Sequence, residues 1–121
     1  MAHILIVEGQ VPLGELWKRH IERSGARADL VSDAEGAMRV LNLEAVDLLV
    51  VDLALPDGGA LTVADYAGYR RPAAKVIFVT STTFFSDGSI FQHAANACAM
   101  LPADTSLDDL VALVDHYAAG T

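Results

Sequence analysis

The feature that most limits what this chain can fold into is Val46-Asp47-Leu48-Leu49-Val50-Val51-Asp52, followed at once by Leu53-Ala54-Leu55-Pro56-Asp57-Gly58-Gly59. Leu48 to Val51 are apolar in succession, and two of them are β-branched. Such a run, too short for a helix and without polar alternation, reads as a strand buried on both faces, as in a parallel sheet. It ends in a carboxylate, Asp52, at the rim where open α/β sheets place their ligands. Pro56, Asp57 and the glycine pair then turn the chain toward a helix.

The same strand-then-helix unit is legible along the whole chain. Ile4 to Val7 is a first buried strand ending at Glu8, and Gly9, Gln10 and Val11 form a loop. Pro12 suits the first turn of a helix whose face carries Leu13, Leu16, Trp17 and His20, stopped by Ser24-Gly25. Ala28 to Val31 is a short second strand. Ser32 with Glu35 reads as a capping box for a helix lined by Ala34, Ala37, Met38 and Leu41. After the Asp52 strand comes a helix over roughly residues 60–69, and Lys75 to Thr80 is a fourth strand. Ser81 to Gly88 is a polar loop interrupted by Phe84-Phe85, and Ile90, Phe91, Ala94 and Ala95 share a helical face. Ala97 to Leu101 is a small-residue fifth strand, ended by Pro102. Ser106 caps a last helix with Leu110, Leu113, Val114 and Tyr117 toward the core.

Five such repeats in one chain predict an α/β fold: a doubly wound five-stranded parallel sheet of flavodoxin-like order 2-1-3-4-5, with helices on both faces. With 121 residues the chain suits one domain, 1–121, and is expected to carry no output domain. The 53% of hydrophobic residues fits strands covered on both sides, and no apolar run approaches the roughly 20 residues of a membrane span. A net charge of −8 argues against nucleic acid as a partner. The single cysteine, Cys98, cannot close an internal disulfide, which points to a reducing cytoplasm. In an alanine-rich segment it reads as a small buried hydrophobe.

In the 2-1-3-4-5 order the chain reverses direction between strands one and three, so Glu8 and Asp52 border one crevice, with Thr80 on the neighbouring strand. Two carboxylates and a hydroxyl suit a hard cation such as Mg²⁺, and an aspartate beside it can attack phosphorus to give an aspartyl-phosphate. The plain alternative is that these are ordinary rim residues.

Ile4-Leu5-Ile6-Val7-Glu8, Asp47 to Gly58, Val76-Ile77-Phe78-Val79-Thr80-Ser81 and Met100-Leu101-Pro102 together resemble the receiver domains of two-component response regulators, in register over essentially the whole chain. The resemblance implies Asp52 as phosphoacceptor, fed by a sensor histidine kinase or phosphotransfer protein. Thr80 would sense the phosphoryl group. Glu8, Asp52 and the backbone carbonyl of Ala54 would hold a weak Mg²⁺. A downstream protein partner would read the face formed by the fourth helix, fifth strand and last helix. The departures from the family's pattern matter as much. Where it has a second acid, the main metal ligand, this chain has Gly9, with Gln10 offering an amide oxygen instead. The family's lysine after strand five falls at Ala103, its next proline at Asp104, and its switching aromatic residue at Met100.

No substitute cation is in sight. Lys18, Arg19, Arg23, Arg27, Arg39, Arg70, Arg71 and Lys75 all lie on helices or near the starts of strands two and four. The loops at the strands' carboxyl ends carry Glu8, Asp52, Asp57, Asp87 and Asp104 instead. Phosphoryl transfer depends on positioned positive charge. Two readings therefore stay open: a phosphorylated receiver acting through protein contacts, and a phosphorylation-independent binding module with a retired pocket. A small flavodoxin-like enzyme is the remote third, for which the short rim loops offer little pocket material; the chain is read as a non-enzyme. His3, His20, His93 and His116 show no metal-ligand spacing and read as structural or solvated. Trp17 reads as core. Phe84 and Phe85 either tuck over the sheet edge or stand exposed as a partner anchor.

Overall fold

The computed structural model describes residues 1–80, 94–102 and 104–118, with the side chain of Asp57 left aside. Strands β1 (His3–Val7), β2 (Arg27–Val31), β3 (Leu48–Asp52), β4 (Lys75–Thr80) and β5 (Ala97–Pro102) alternate with helices α1 (Val11–Arg23), α2 (Ala34–Leu43), α3 (Gly59–Arg70) and α4 (Leu107–Ala118). A short 3₁₀ turn, Pro56–Gly58, precedes α3. All pairings are parallel, and the sheet runs β2-β1-β3-β4-β5, the order expected from the repeats.

The continuous apolar runs are explained by which side each residue faces. Leu5, Val7, Leu49, Val51, Val76 and Phe78 pack with Ala37 and Leu41 of α2 and Val63, Ala64 and Ala67 of α3. Their neighbours Ile4, Ile6, Leu48, Val50, Ile77 and Val79 pack on the opposite side with Trp17 and Ile21 of α1 and Leu110 and Val114 of α4. Successive strand residues point to opposite faces, so a strand that must fill two cores has no place for a polar residue until it reaches its end. Trp17 is core, as expected, and Cys98 packs half-buried against the second cluster. Burial raises its thiol pKa, which makes it an inert hydrophobe rather than a reactive thiolate.

The helix ends largely follow their sequence signals. Pro12 sits in the first turn of α1, and Ser24 closes that helix by donating its hydroxyl to the Ile21 carbonyl at 2.7 Å. Ser106 Oγ accepts from the Asp109 N–H at 3.1 Å, as expected. At α2 the expected cap is off by one residue. Asp33, not Ser32, is the N-cap, and its Oδ1 accepts from the Gly36 N–H at 2.7 Å. A carboxylate offers that position both a stronger acceptor and a charge favourable to the helix dipole.

The expected helical face at Ile90 and Phe91, the Phe84-Phe85 pair, Asp87, His93 and Ala103 lie outside the described residues. Ala94 is buried in the first core cluster, and a turn closed by the Ala97 N–H on the Ala94 carbonyl leads into β5. No helix among the described residues is long and apolar enough to cross a membrane.

Gly58, the N-cap of α3, has φ of +68°, a left-handed conformation that costs a residue with a Cβ about 1–2 kcal/mol. Its surroundings are open, so backbone strain rather than a clash sets the effect of substitution. Gly58→Ala is expected to lower the stability read from urea unfolding by that amount. Gly58→Asn is expected to cost less, because Asn tolerates the left-handed region.

Candidate functional site

Every strand points its carboxyl end at the same rim, and α1 to α4 begin there. Glu8 directly follows β1, and Asp52 ends β3, which pairs with β1 through Val7↔Val51. Asp52 in turn sits opposite Val79 of β4, one residue before Thr80. The crevice expected from the strand order is thus present, with Glu8 and Asp52 in contact and Thr80 at the end of the adjoining strand. Thr80 is buried.

Glu8 is only 1% exposed, an unusual place for a carboxyl group. The close approach of α1 puts it there. At Gly14 an added Cβ would lie 2.6 Å from Leu30 Cδ1 and 3.3 Å from Glu8 Cβ, so a larger residue there would have to displace the end of the Leu30 side chain and press on Glu8. Glu8 Oε1 accepts from the Gln10 N–H at 3.1 Å. Oε2 is buried without a donor among the described residues.

The pKa of Glu8 is accordingly pushed up to about 7, first by burial, then by a hydrogen bond shared with Asp52, with the Asp52 charge adding a little and the Gln10 N–H pulling back. Two ionised carboxylates are both acceptors and cannot share a hydrogen bond. Burial and the neighbouring Asp52 therefore favour the neutral form of Glu8. Asp52 is half-buried, and its Oδ1 accepts from the Ala54 N–H at 2.8 Å, a short turn that fixes the carboxylate and brings the Ala54 backbone beside it.

All eight Lys and Arg residues fall within the described part, and the contacts described for six of them lie away from this crevice. Lys18 pairs with Glu22 and Arg39 with Glu35 along their own helices. Arg27 bridges Asp29 and Glu44. Arg70 and Arg71 bond to Asn42 and to the Leu41 carbonyl, and Lys75 lies 5.7 Å from the centre of the Tyr117 ring. No cation is among the causes that shift Glu8.

Gly9, beside this pocket, is not required by the backbone. Its φ is not positive, and a Cβ would meet only the Ser32 carbonyl oxygen, at an ordinary 3.8 Å. A residue with a Cβ is therefore admitted there without a clash at that atom.

Sequence reasoning missed one cluster. His3, taken as having no partner at ligand spacing, is brought against Asp29 and Glu44, residues far from it in sequence and joined only by the parallel pairing of β1 with β2. His20 Nδ1 bonds its own helix at the Leu16 carbonyl, and His116 lies edge-on to Tyr117.

Comparison with known proteins gives one consistent result. Residues 4–115 match the family model of the response regulator receiver domain. The DNA-binding transcriptional regulator NtrC of Proteus hauseri is 24% identical over 119 residues, which is 95% of this chain but 25% of that protein. This chain therefore spans about a quarter of the curated relative's length. Among solved structures, a CheY-like receiver domain protein from Methanospirillum hungatei superposes with a TM-score of 0.88 at 22% identity, covering 98% of this chain and 94% of that one. The response regulator TrrA of Thermotoga maritima, solved in complex with Mg²⁺-BeF, gives 0.81 at 23%, covering 95% and 97%. The non-phosphorylated HemR receiver domain of Leptospira biflexa gives 0.87 at 23%, covering 100% and 97%.

The raised Glu8 pKa fixes a pH dependence. Between 4.5, its ordinary value, and about 7, the folded chain holds a proton that the unfolded chain has released. The stabilisation is complete below 4.5 and is lost as pH rises through 7. Its full size is about 3 kcal/mol. Glu8→Gln keeps the shape without titrating. The variant is expected to match wild type in urea unfolding at pH 5 and to exceed it at pH 8, where wild type must bury an ionised Glu8 beside Asp52.

Proposed function

We propose that this chain, which belongs to the family of response regulator receiver domains, receives a phosphoryl group on Asp52 from a histidine kinase or phosphotransfer protein. The observation that carries this reading is the position of Asp52, at the tip of the central strand, its Oδ1 held by the Ala54 N–H and Glu8 directly beside it. A carboxylate fixed through one oxygen presents the other to an incoming phosphorus atom, and fixed geometry is most of what phosphoryl transfer asks of a protein. In the transfer, an Asp52 oxygen forms a bond to phosphorus as the donor's bond to it breaks. Thr80, buried at the end of β4, is the hydroxyl within the same crevice suited to bond a phosphoryl oxygen and report its presence. Output would follow through a protein partner at the surface that includes β5 and α4.

Oxygen donors of this kind fit Mg²⁺: the Glu8 and Asp52 carboxyls and the Ala54 carbonyl, with the donorless buried oxygen of Glu8 as the sign that the group would accept a cation. When bound, Mg²⁺ would neutralise charge on the transferring phosphoryl group. The set is weaker than the family's, because Gly9 contributes no carboxylate, and with Ala103 at the family's lysine position the phosphoryl oxygens lose a cation as well.

A second reading rests on a specific observation. The contacts described for Lys18, Arg27, Arg39, Arg70, Arg71 and Lys75 lie elsewhere, and burial beside Asp52 favours a neutral Glu8. A pocket that balances its charge with its own proton can rest without metal or phosphate, and the domain would then serve as a binding module independent of phosphorylation.

One experiment separates the two. The chain is incubated with acetyl phosphate and Mg²⁺ and weighed by intact-mass spectrometry. The receiver reading expects a single added phosphate, absent from Asp52→Ala, whereas no adduct under forcing conditions favours the binding module. Gly9→Asp, which the backbone admits, restores a carboxylate and is expected to tighten Mg²⁺ roughly tenfold, since affinity for hard cations follows ligand charge. Trp17 fluorescence reads that titration.

A further inference from the structure

At the opposite end of β1 from Glu8, roughly 16 Å away at the usual rise per strand residue, lies the cluster that sequence spacing did not reveal. His3 is 6% exposed. Its backbone N–H donates to Asp47 Oδ2 at 2.8 Å, its Nδ1 lies 2.9 Å from the Ala45 carbonyl oxygen and its Nε2 lies 2.7 Å from Asp29 Oδ2. A carbonyl can only accept, so Nδ1 bears the proton of that bond. The ring is thereby locked with Nε2 aimed at carboxylate oxygen, the orientation that metal-ligating histidines commonly owe to a backbone carbonyl. Ligand atoms of His3, Asp29 and Glu44 lie within 4.8 Å of one another.

We propose that His3 Nε2, Asp29 and Glu44 form a binding site for a borderline divalent cation, Zn²⁺ being the representative. One nitrogen and two carboxylate donors suit zinc better than magnesium or calcium, which favour oxygen alone. The positive charge there now comes from Arg27, which donates to Asp29 at 3.0 Å and to Glu44 at 2.7 Å.

Zinc would take the place of Arg27: the guanidinium swings outward, and one doubly charged ion faces the two carboxylates. The exchange is open sterically: the side chains of Arg27, Asp29 and Glu44 are 48%, 38% and 39% exposed, so an ion has a path in. Arg27 gives up only surface ion pairs, worth little. The Nε2 and Oδ2 atoms must part by a few tenths of an ångström to share one ion, a movement the half-exposed Asp29 can make.

The test is calorimetric titration of the chelator-treated chain with zinc chloride at pH 7. The expected result is one ion bound at the cluster. His3→Gln and Glu44→Gln should each weaken that binding roughly tenfold or more, and Arg27→Gln should tighten it by removing the competing cation. Glu44 and Arg27 are half-exposed, so their variants keep the test decisive even where His3→Gln impairs folding. Absence of binding at millimolar zinc, binding indifferent to Glu44→Gln, or weaker binding in Arg27→Gln would each overturn the proposal. Persistence of an equally tight site in His3→Gln would assign the ion to another histidine or to Cys98, and would overturn it too.

Discussion

A strand covered on both faces can be polar only where it stops, and this constraint arranges everything else in the molecule. Leu48 to Val51 must satisfy one core through Leu49 and Val51 and another through Leu48 and Val50, so the first place the chain can put chemistry is Asp52. The parallel crossovers that supply the two helical layers return every strand in the same direction. They gather the carboxyl ends of β1, β3 and β4 along one rim and their beginnings along the other. Glu8 and Asp52 are neighbours because β1 and β3 are, not because of anything local to either.

The same constraint sorts charge. The described rim loops hold Glu8, Asp33, Asp52 and Asp104, whereas Arg27, Arg70, Arg71 and Lys75 sit toward the strand starts. The helix N-termini at the rim supply partial positive charge, and capping carboxylates such as Asp33 use it. The Glu8–Asp52 pair has no side-chain cation of its own. A buried carboxyl in that position stabilises itself by keeping its proton, and the shift of Glu8 to about 7 is that choice made visible. The far end resolves a similar excess of acid differently, with Arg27 and His3 set among Asp29, Glu44 and Asp47.

Much of this was legible in the sequence because it rests on periodicity. Five apolar runs and four helical faces suffice for the sheet order, and the carboxylate ending the third run marks the candidate site. What escaped depends on distances that no spacing encodes. Asp33 displaces Ser32 as the α2 cap because its backbone stands at the helix boundary and its carboxylate reaches the Gly36 N–H. His3 meets Asp29 only through the register of β1 on β2, which pairs Leu5 with Asp29. The raised pKa of Glu8 follows from its burial beside Asp52, where α1 packs closely enough for a Cβ at Gly14 to reach 3.3 Å from Glu8 Cβ.

Glycine marks where the backbone constrains the sequence and where it does not. Gly58 is held in a left-handed conformation that other residues enter at a cost, and a Cβ at Gly14 would press on Leu30 and Glu8. Gly9 is under neither restraint. A carboxylate placed there would stand beside a buried carboxyl whose pKa is already raised by burial and by Asp52, and like charges so close disfavour one another unless a cation lies between them. The residue at position 9 therefore bears on the chemistry of this rim and not on how the rim is built.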